Sequence, residues 1–132
     1  MDRAAVVLPL LLLAAFASRA EPPPEAALWN AGRSAAAVST RVDGRASVTT
    51  FVRQADGSFL KIDLSQVEQR NLGKLGLGGA EYERVETQPL QWLERRDGLL
   101  QLRIQTRAWR QGRRYTVEEP VIFQADGKVL WR

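Results

Sequence analysis

Leu99 to Arg132, LLQLRIQTRAWRQGRRYTVEEPVIFQADGKVLWR, is the stretch that decides the fold. Leu100, Leu102, Ile104, Thr106 and Ala108 fall on one side of an extended chain, and Gln101, Arg103, Gln105 and Arg107 on the other. Gln111-Gly112 then reads as a two-residue turn, which fixes the register of the returning strand. Counting from it, Leu100 faces Phe123, Leu102 faces Val121, Thr106 faces Val117 and Ala108 faces Tyr115. These pairs form an apolar core face, joined by Leu93 opposite Leu102 from the preceding strand.

Working outward, Asp-Gly occurs four times, at Asp43-Gly44, Asp56-Gly57, Asp97-Gly98 and Asp126-Gly127. Both residues tolerate positive φ, so each pair predicts a two-residue hairpin turn between β-prone segments. In the first half this register places Phe51 opposite Ile62 and Arg53 opposite Leu60, with Phe51, Leu60, Ile62 and Leu64 as the facing wall. Between the two halves, Ser65-x-x-Glu68 predicts a capping box opening a short helix over Gln66 to Leu72, ended by Gly73. The Gly-rich run Gly73 to Gly79 departs from the phosphate-loop pattern, since Lys74 is followed by Leu75, and reads as a connector.

The expected fold is therefore mainly β: antiparallel hairpin meanders forming a small sandwich or partly closed barrel, with one or two short helices. The alternative is an α+β, cystatin-like arrangement, which requires Pro24 to Val38 to be one helix across a single sheet. Gly32 opposes it. Pro22-Pro23-Pro24 predicts an extended spacer leading to a short helix over Glu25 to Ala31.

The N-terminus reads as an address. Ala4 to Ala17 is apolar but short for a membrane span, and Ala15-Phe16-Ala17 and Ser18-Arg19-Ala20 offer two cleavage points of the small-x-small type. Residues 1–20 are thus expected to be a signal peptide, residues 21–35 an extended or helical arm, and residues 36–132 a single β domain. The implied location is periplasmic or secreted, with no transmembrane segment after cleavage.

Composition narrows the chemistry. The chain has no Cys and no His, which removes Cys and His nucleophiles, the Ser-His-Asp triad and metal sites built on either residue. Neither a cofactor nor a metal is expected. Of 19 basic residues 16 are Arg; against 15 acidic residues the excess is mild, and no nucleic-acid partner is expected. What remains is a non-enzymatic module with a protein or cell-envelope partner. Alternatives are a binder of anionic lipid or polysaccharide surfaces and, less favoured, a carboxylate-dependent hydrolase.

The candidate binding surface is the polar side of the C-terminal sheet. There the expected register gathers Trp92, Arg103, Arg107, Trp109, Arg114, Ile122 and Trp131, with Trp92 opposite Arg103, Trp109 opposite Arg114 and Ile122 opposite Trp131. Tryptophan and arginine are enriched where proteins bind one another. Two other outcomes compete with this surface: the arm, with Leu28 and Trp29, folds back over these rings, or a register shift at Pro89 turns Leu90 and Trp92 inward. Glu119 falls opposite Ile104 on the apolar side, and a bulge at Pro120 is expected to swing it to the rim.

Overall fold

Two antiparallel sheets face each other across an apolar interior, as the alternating patterns require. The structure, a computed structural model, describes residues 17–20, 22–42, 45–76 and 82–130. Its elements are β1 (Ala17–Ala20), β2 (Leu28–Trp29), β3 (Ala35–Val42), β4 (Arg45–Arg53), β5 (Phe59–Leu64), α1 (Val67–Lys74), β6 (Arg84–Leu93), β7 (Leu100–Arg110), β8 (Arg113–Phe123) and β9 (Val129–Leu130). The first sheet has the order β1-β5-β4-β3-β2 and the second β6-β7-β8-β9. Among the described residues no helix is long and apolar enough to cross a membrane. The cystatin-like alternative does not apply: the segment it needs as a helix forms a turn, β2 and β3.

The β7–β8 hairpin has the register counted from the sequence, from Leu100 opposite Phe123 to Arg110 opposite Arg113. Gln111 and Gly112 both take positive φ, 53° and 73°, as a two-residue turn of the I′ kind needs. The Asp-Gly turns behave differently. Gln54 N–H donates to Ser58 O at 2.7 Å and Gln124 N–H to Lys128 O at 2.8 Å, so Ala55-Asp56-Gly57 and Ala125-Asp126-Gly127 are three-residue loops. The Asp56 and Asp126 carboxylates accept from the N–H of Ser58 and Lys128, and Gly57 and Gly127 adopt φ of 86° and 98°. Both loops carry the sequence Gln-Ala-Asp-Gly, and the Gln54 amide joins them by donating to Ala125 O at 3.2 Å. Val42 pairs with Arg45, and the Asp43-Gly44 between them lies outside the described residues.

One extra loop residue moves each dependent register by one and so exchanges faces. Phe51 stands opposite Lys61 rather than Ile62, Arg53 opposite Phe59 rather than Leu60, and Ile122 opposite Leu130. The interior wall of the first sheet is accordingly Ala37, Val48, Val52, Ile62 and Leu64, packed against Leu102, Ile104, Val121 and Phe123. Phe51 and Phe59 belong to the outer face, where Phe59 meets Trp29 edge-on at 6.1 Å.

Helix α1 packs on β7, β8 and β4 and buries Val67 and Asn71. The capping box is not formed: Gln66 occupies the cap position without a side-chain hydrogen bond, and the Glu68 carboxylate accepts from Thr87 of β6. Gly73 lies inside the helix, and Gly76, at φ 68°, follows its end. The predicted helix over Glu25 to Ala31 is absent; a turn closed by Ala27 N–H to Pro24 O leads directly into β2. Pairing of Leu28 and Trp29 with Ala37 and Ala36 captures that segment as a strand.

Two glycines test this account. Gly98 sits at φ 80° with open space around it, so Gly98→Val should cost about 1–3 kcal/mol through backbone strain alone. Gly73, helical and equally unobstructed, should instead gain about 0.5–1 kcal/mol as Gly73→Ala. Thermal melts of the two variants should move in opposite directions.

Candidate functional site

The alternation of β7 presents Gln101, Arg103, Gln105, Arg107 and Trp109 on the outer face of the second sheet. On β6, Glu86 pairs with Arg107 and Arg84 with Trp109; on β8, Arg114 pairs with Trp109 and Glu118 with Gln105. Opposite charges therefore meet across strands. Arg107 Nη2 donates to Glu86 at 2.8 Å, Arg84 Nε lies 3.7 Å from the same carboxylate, and Arg103 lies 3.7 Å from Glu118. Held this way, the Arg84 guanidinium covers the Trp109 ring at 3.9 Å and that of Arg107 approaches it at 5.7 Å. Arg114 extends the outer face toward the hairpin tip, and Arg110 and Arg113 flank the tip from the other side of the ladder; none of the three has an ion-pair partner among the described residues.

Arg103, Arg107, Trp109 and Arg114 thus share the expected face. Ile122 is on it too, but buried beside Leu130 rather than placed against Trp131, which lies outside the described residues. Trp92 is on the opposite side. From the β6–β7 connection the ladder pairs Leu93 with Gln101, not Leu102, and Trp92 with Leu102, one residue away from a two-residue Asp97-Gly98 turn. Leu93 therefore takes the outer face and Trp92 the inner, and the shift between Pro89 and Gln91 then adjusts this register to that of the rest of β6. The Trp92 ring meets Phe123 edge-on at 6.0 Å and its indole N–H donates to Leu28 O at 2.8 Å. Proline cannot donate to the ladder, so the shift occurs where a ladder bond is already missing.

Beneath α1 lies a polar cluster that sequence reasoning located only through Glu119. That residue is 6% exposed and directly opposite Ile104, and the ladder runs without irregularity through Pro120. The rim placement is therefore corrected. Among the described residues β9 pairs only with Ile122 and Phe123, and none of them occupies the ladder position beside Pro120 on the β9 side. Burial of the carboxylate is compensated from the helix, by Arg70 at 3.3 Å and Lys74 at 3.5 Å. Arg70 and Lys74, four apart on α1, reach the same oxygen.

A second chain of contacts runs alongside. Asn71 Nδ2 donates to Thr106 Oγ1 at 2.9 Å, the Thr106 and Thr87 hydroxyls are 2.9 Å apart, and Thr87 Oγ1 donates to Glu68 at 2.7 Å. Thr87 has one proton and gives it to the carboxylate, so Thr106 must donate to Thr87. All three links point toward Glu68. Thr87 also borders a cleft of about 300 Å³ between β3 and β6, lined by Ser39, Thr40, Arg41, Glu86 and Gln88. Ser39 Oγ donates to Thr87 O at 2.6 Å and Arg41 Nη2 to Val85 O at 3.0 Å, which ties β3 to β6 beside it.

At the β6–β7 connection, Asp97 accepts from Arg95 and from Leu99 N–H, which holds its carboxyl at about 2, below the ordinary carboxylate range. Among the described residues no group of three or more acidic side chains is placed to hold a metal ion. Taken as chemistry, the outer face offers guanidinium and aromatic recognition, whereas the interior cluster anchors helix to sheet. No family model matches the chain, and comparison with curated proteins and with solved structures gives no significant match.

Two outcomes follow from these placements. Trp92→Ala should lower stability by about 3 kcal/mol, since it removes a core contact and leaves Leu28 O without its donor; denaturant unfolding measures it. Asp97 should titrate with a midpoint of about 2 by carboxyl NMR, moving back toward the ordinary value in Arg95→Leu. The sign is that of a depressed carboxyl: its stabilising contribution is complete above the ordinary value and is lost as pH falls toward 2.

Proposed function

We propose that this chain is an exported, non-enzymatic binding protein that engages a protein partner of the cell envelope through the outer face of the β6–β8 sheet. The observation that carries the reading is Trp109, stacked under Arg84 and flanked by Arg107 and Arg114 on a half-exposed strand. An aromatic ring immobilised by guanidinium groups offers contact area with little further loss of side-chain freedom. Periplasmic or secreted location rests on the leader-like run of residues 4–20.

A second reading, attachment to anionic lipid or polysaccharide, is favoured by Arg110, Arg113 and Arg114, which gather positive charge at one hairpin tip. The two readings respond differently to salt. Binding to phosphatidylglycerol vesicles through the tip should vanish at high ionic strength, while a stacked protein interface should persist.

Capture from an envelope fraction, with the wild-type chain and Trp109→Ala compared as bait, tests the main reading. Trp109→Ala should weaken a stoichiometric partner by about 2 kcal/mol, roughly 30-fold, with the melting temperature nearly unchanged. Lys128→Ala, on the exposed β8–β9 loop, should leave capture intact. Equal capture by wild type and Trp109→Ala would sink the proposal.

A further inference from the structure

Strand β5 has two neighbours: β4 on one side and, on the other, β1, whose Ala17 to Ala20 backbone pairs with Ile62 to Phe59. Both cleavage points of the leader reading fall on β1, at its first and last residues. Cleavage after Ala20 removes all four β1 residues and leaves the outward N–H and C=O groups of β5 without partners. Cleavage after Ala17 retains Ser18 to Ala20 on that edge.

We propose that the edge of β5 is a strand-acceptor site uncovered by cleavage after Ala20, and that its occupant is a second copy of this chain paired β5 to β5. The inference rests on the leader reading of residues 1–20 and is independent of the Trp109 surface. A strand meeting its own copy about a two-fold axis pairs antiparallel, the sense in which β1 already sits there. A two-fold perpendicular to the sheet preserves faces, so it must pass midway between one residue and its own copy, and the charges choose which residue. Centred on Ile62, Lys61 stands opposite the partner's Asp63 twice, and Leu60 opposite the partner's Leu64 on the interior face. Centred on Lys61 or on Asp63, like charges meet directly. The Ile62 register therefore joins the two sheets into one continuous sheet across the axis.

The test uses the chain as exported and processed. Ala17→Leu blocks the first cleavage point and Ala20→Leu the second, because a small residue is needed immediately before the cut. N-terminal mass then identifies a form beginning at Glu21 and one beginning at Ser18. In sedimentation equilibrium at up to about 100 µM, a range suited to a small interface, the Glu21 form should dimerise and the Ser18 form should associate at least tenfold more weakly. Lys61→Asp should abolish the dimer, and the double exchange Lys61→Asp with Asp63→Lys should restore it. A monomeric Glu21 form, or a dimer indifferent to Lys61→Asp, overturns the proposal. Recovery of only uncut chain from both leader variants overturns it as well, through the leader reading, and leaves the Trp109 surface untouched.

Discussion

The register of β7 against β8 is the constraint on which the other contacts depend. Side chains alternate with a period of two, so a slip of one residue would send Leu102 and Ile104 to solvent and bring Arg103 and Gln105 against the first sheet. Gln111-Gly112, both residues at positive φ, prevents the slip locally. Everything on the second sheet inherits that choice: the wall facing Val48 and Ile62, the seat of α1, and the outer row ending at Trp109.

The same register places a carboxylate in the interior. Glu119 comes inward between Val117 and Val121 because its position in the alternation requires it. An uncompensated charge there would cost several kcal/mol. Arg70 and Lys74, with their outer ends toward solvent at 32% and 46% side-chain exposure, supply the counter-charge from α1. Such a pairing adds little net stability, but a helix seated elsewhere would strand the carboxylate, so it specifies where α1 docks. The Asn71–Thr106–Thr87–Glu68 chain reinforces that position with directed hydrogen bonds. Helix placement is thus set by polar matching as well as by burial of Val67.

Outside the interior, the molecule stacks cations on aromatic rings on both sheets: Arg33 on Trp29 and Arg53 on Phe59 on the first, Arg84 on Trp109 on the second. In each case the guanidinium keeps access to solvent while covering apolar area. Among the described residues further arginines accumulate only around Trp109, which separates that region from a simple covering of exposed rings.

Alternation and one glycine-containing turn were enough for the sequence alone to determine the β class, the β7–β8 register and the outward set Arg103, Arg107, Trp109 and Arg114, because these follow from local geometry within a single hairpin. Asp-Gly marked the loops correctly but not their length, since an aspartate that accepts the next strand's N–H favours three residues over two, and that choice moves Phe51 to the outer face, opposite Lys61. The direction of Trp92 was decided by a β6–β7 connection longer than the Asp97-Gly98 pair, by the irregularity at Pro89 and by the carbonyl of Leu28, distant in sequence. Glu119 stayed inside because two cations on a helix far earlier in the chain meet it there. Such partners are brought together by packing between elements, and no local pattern in the chain encodes the meeting.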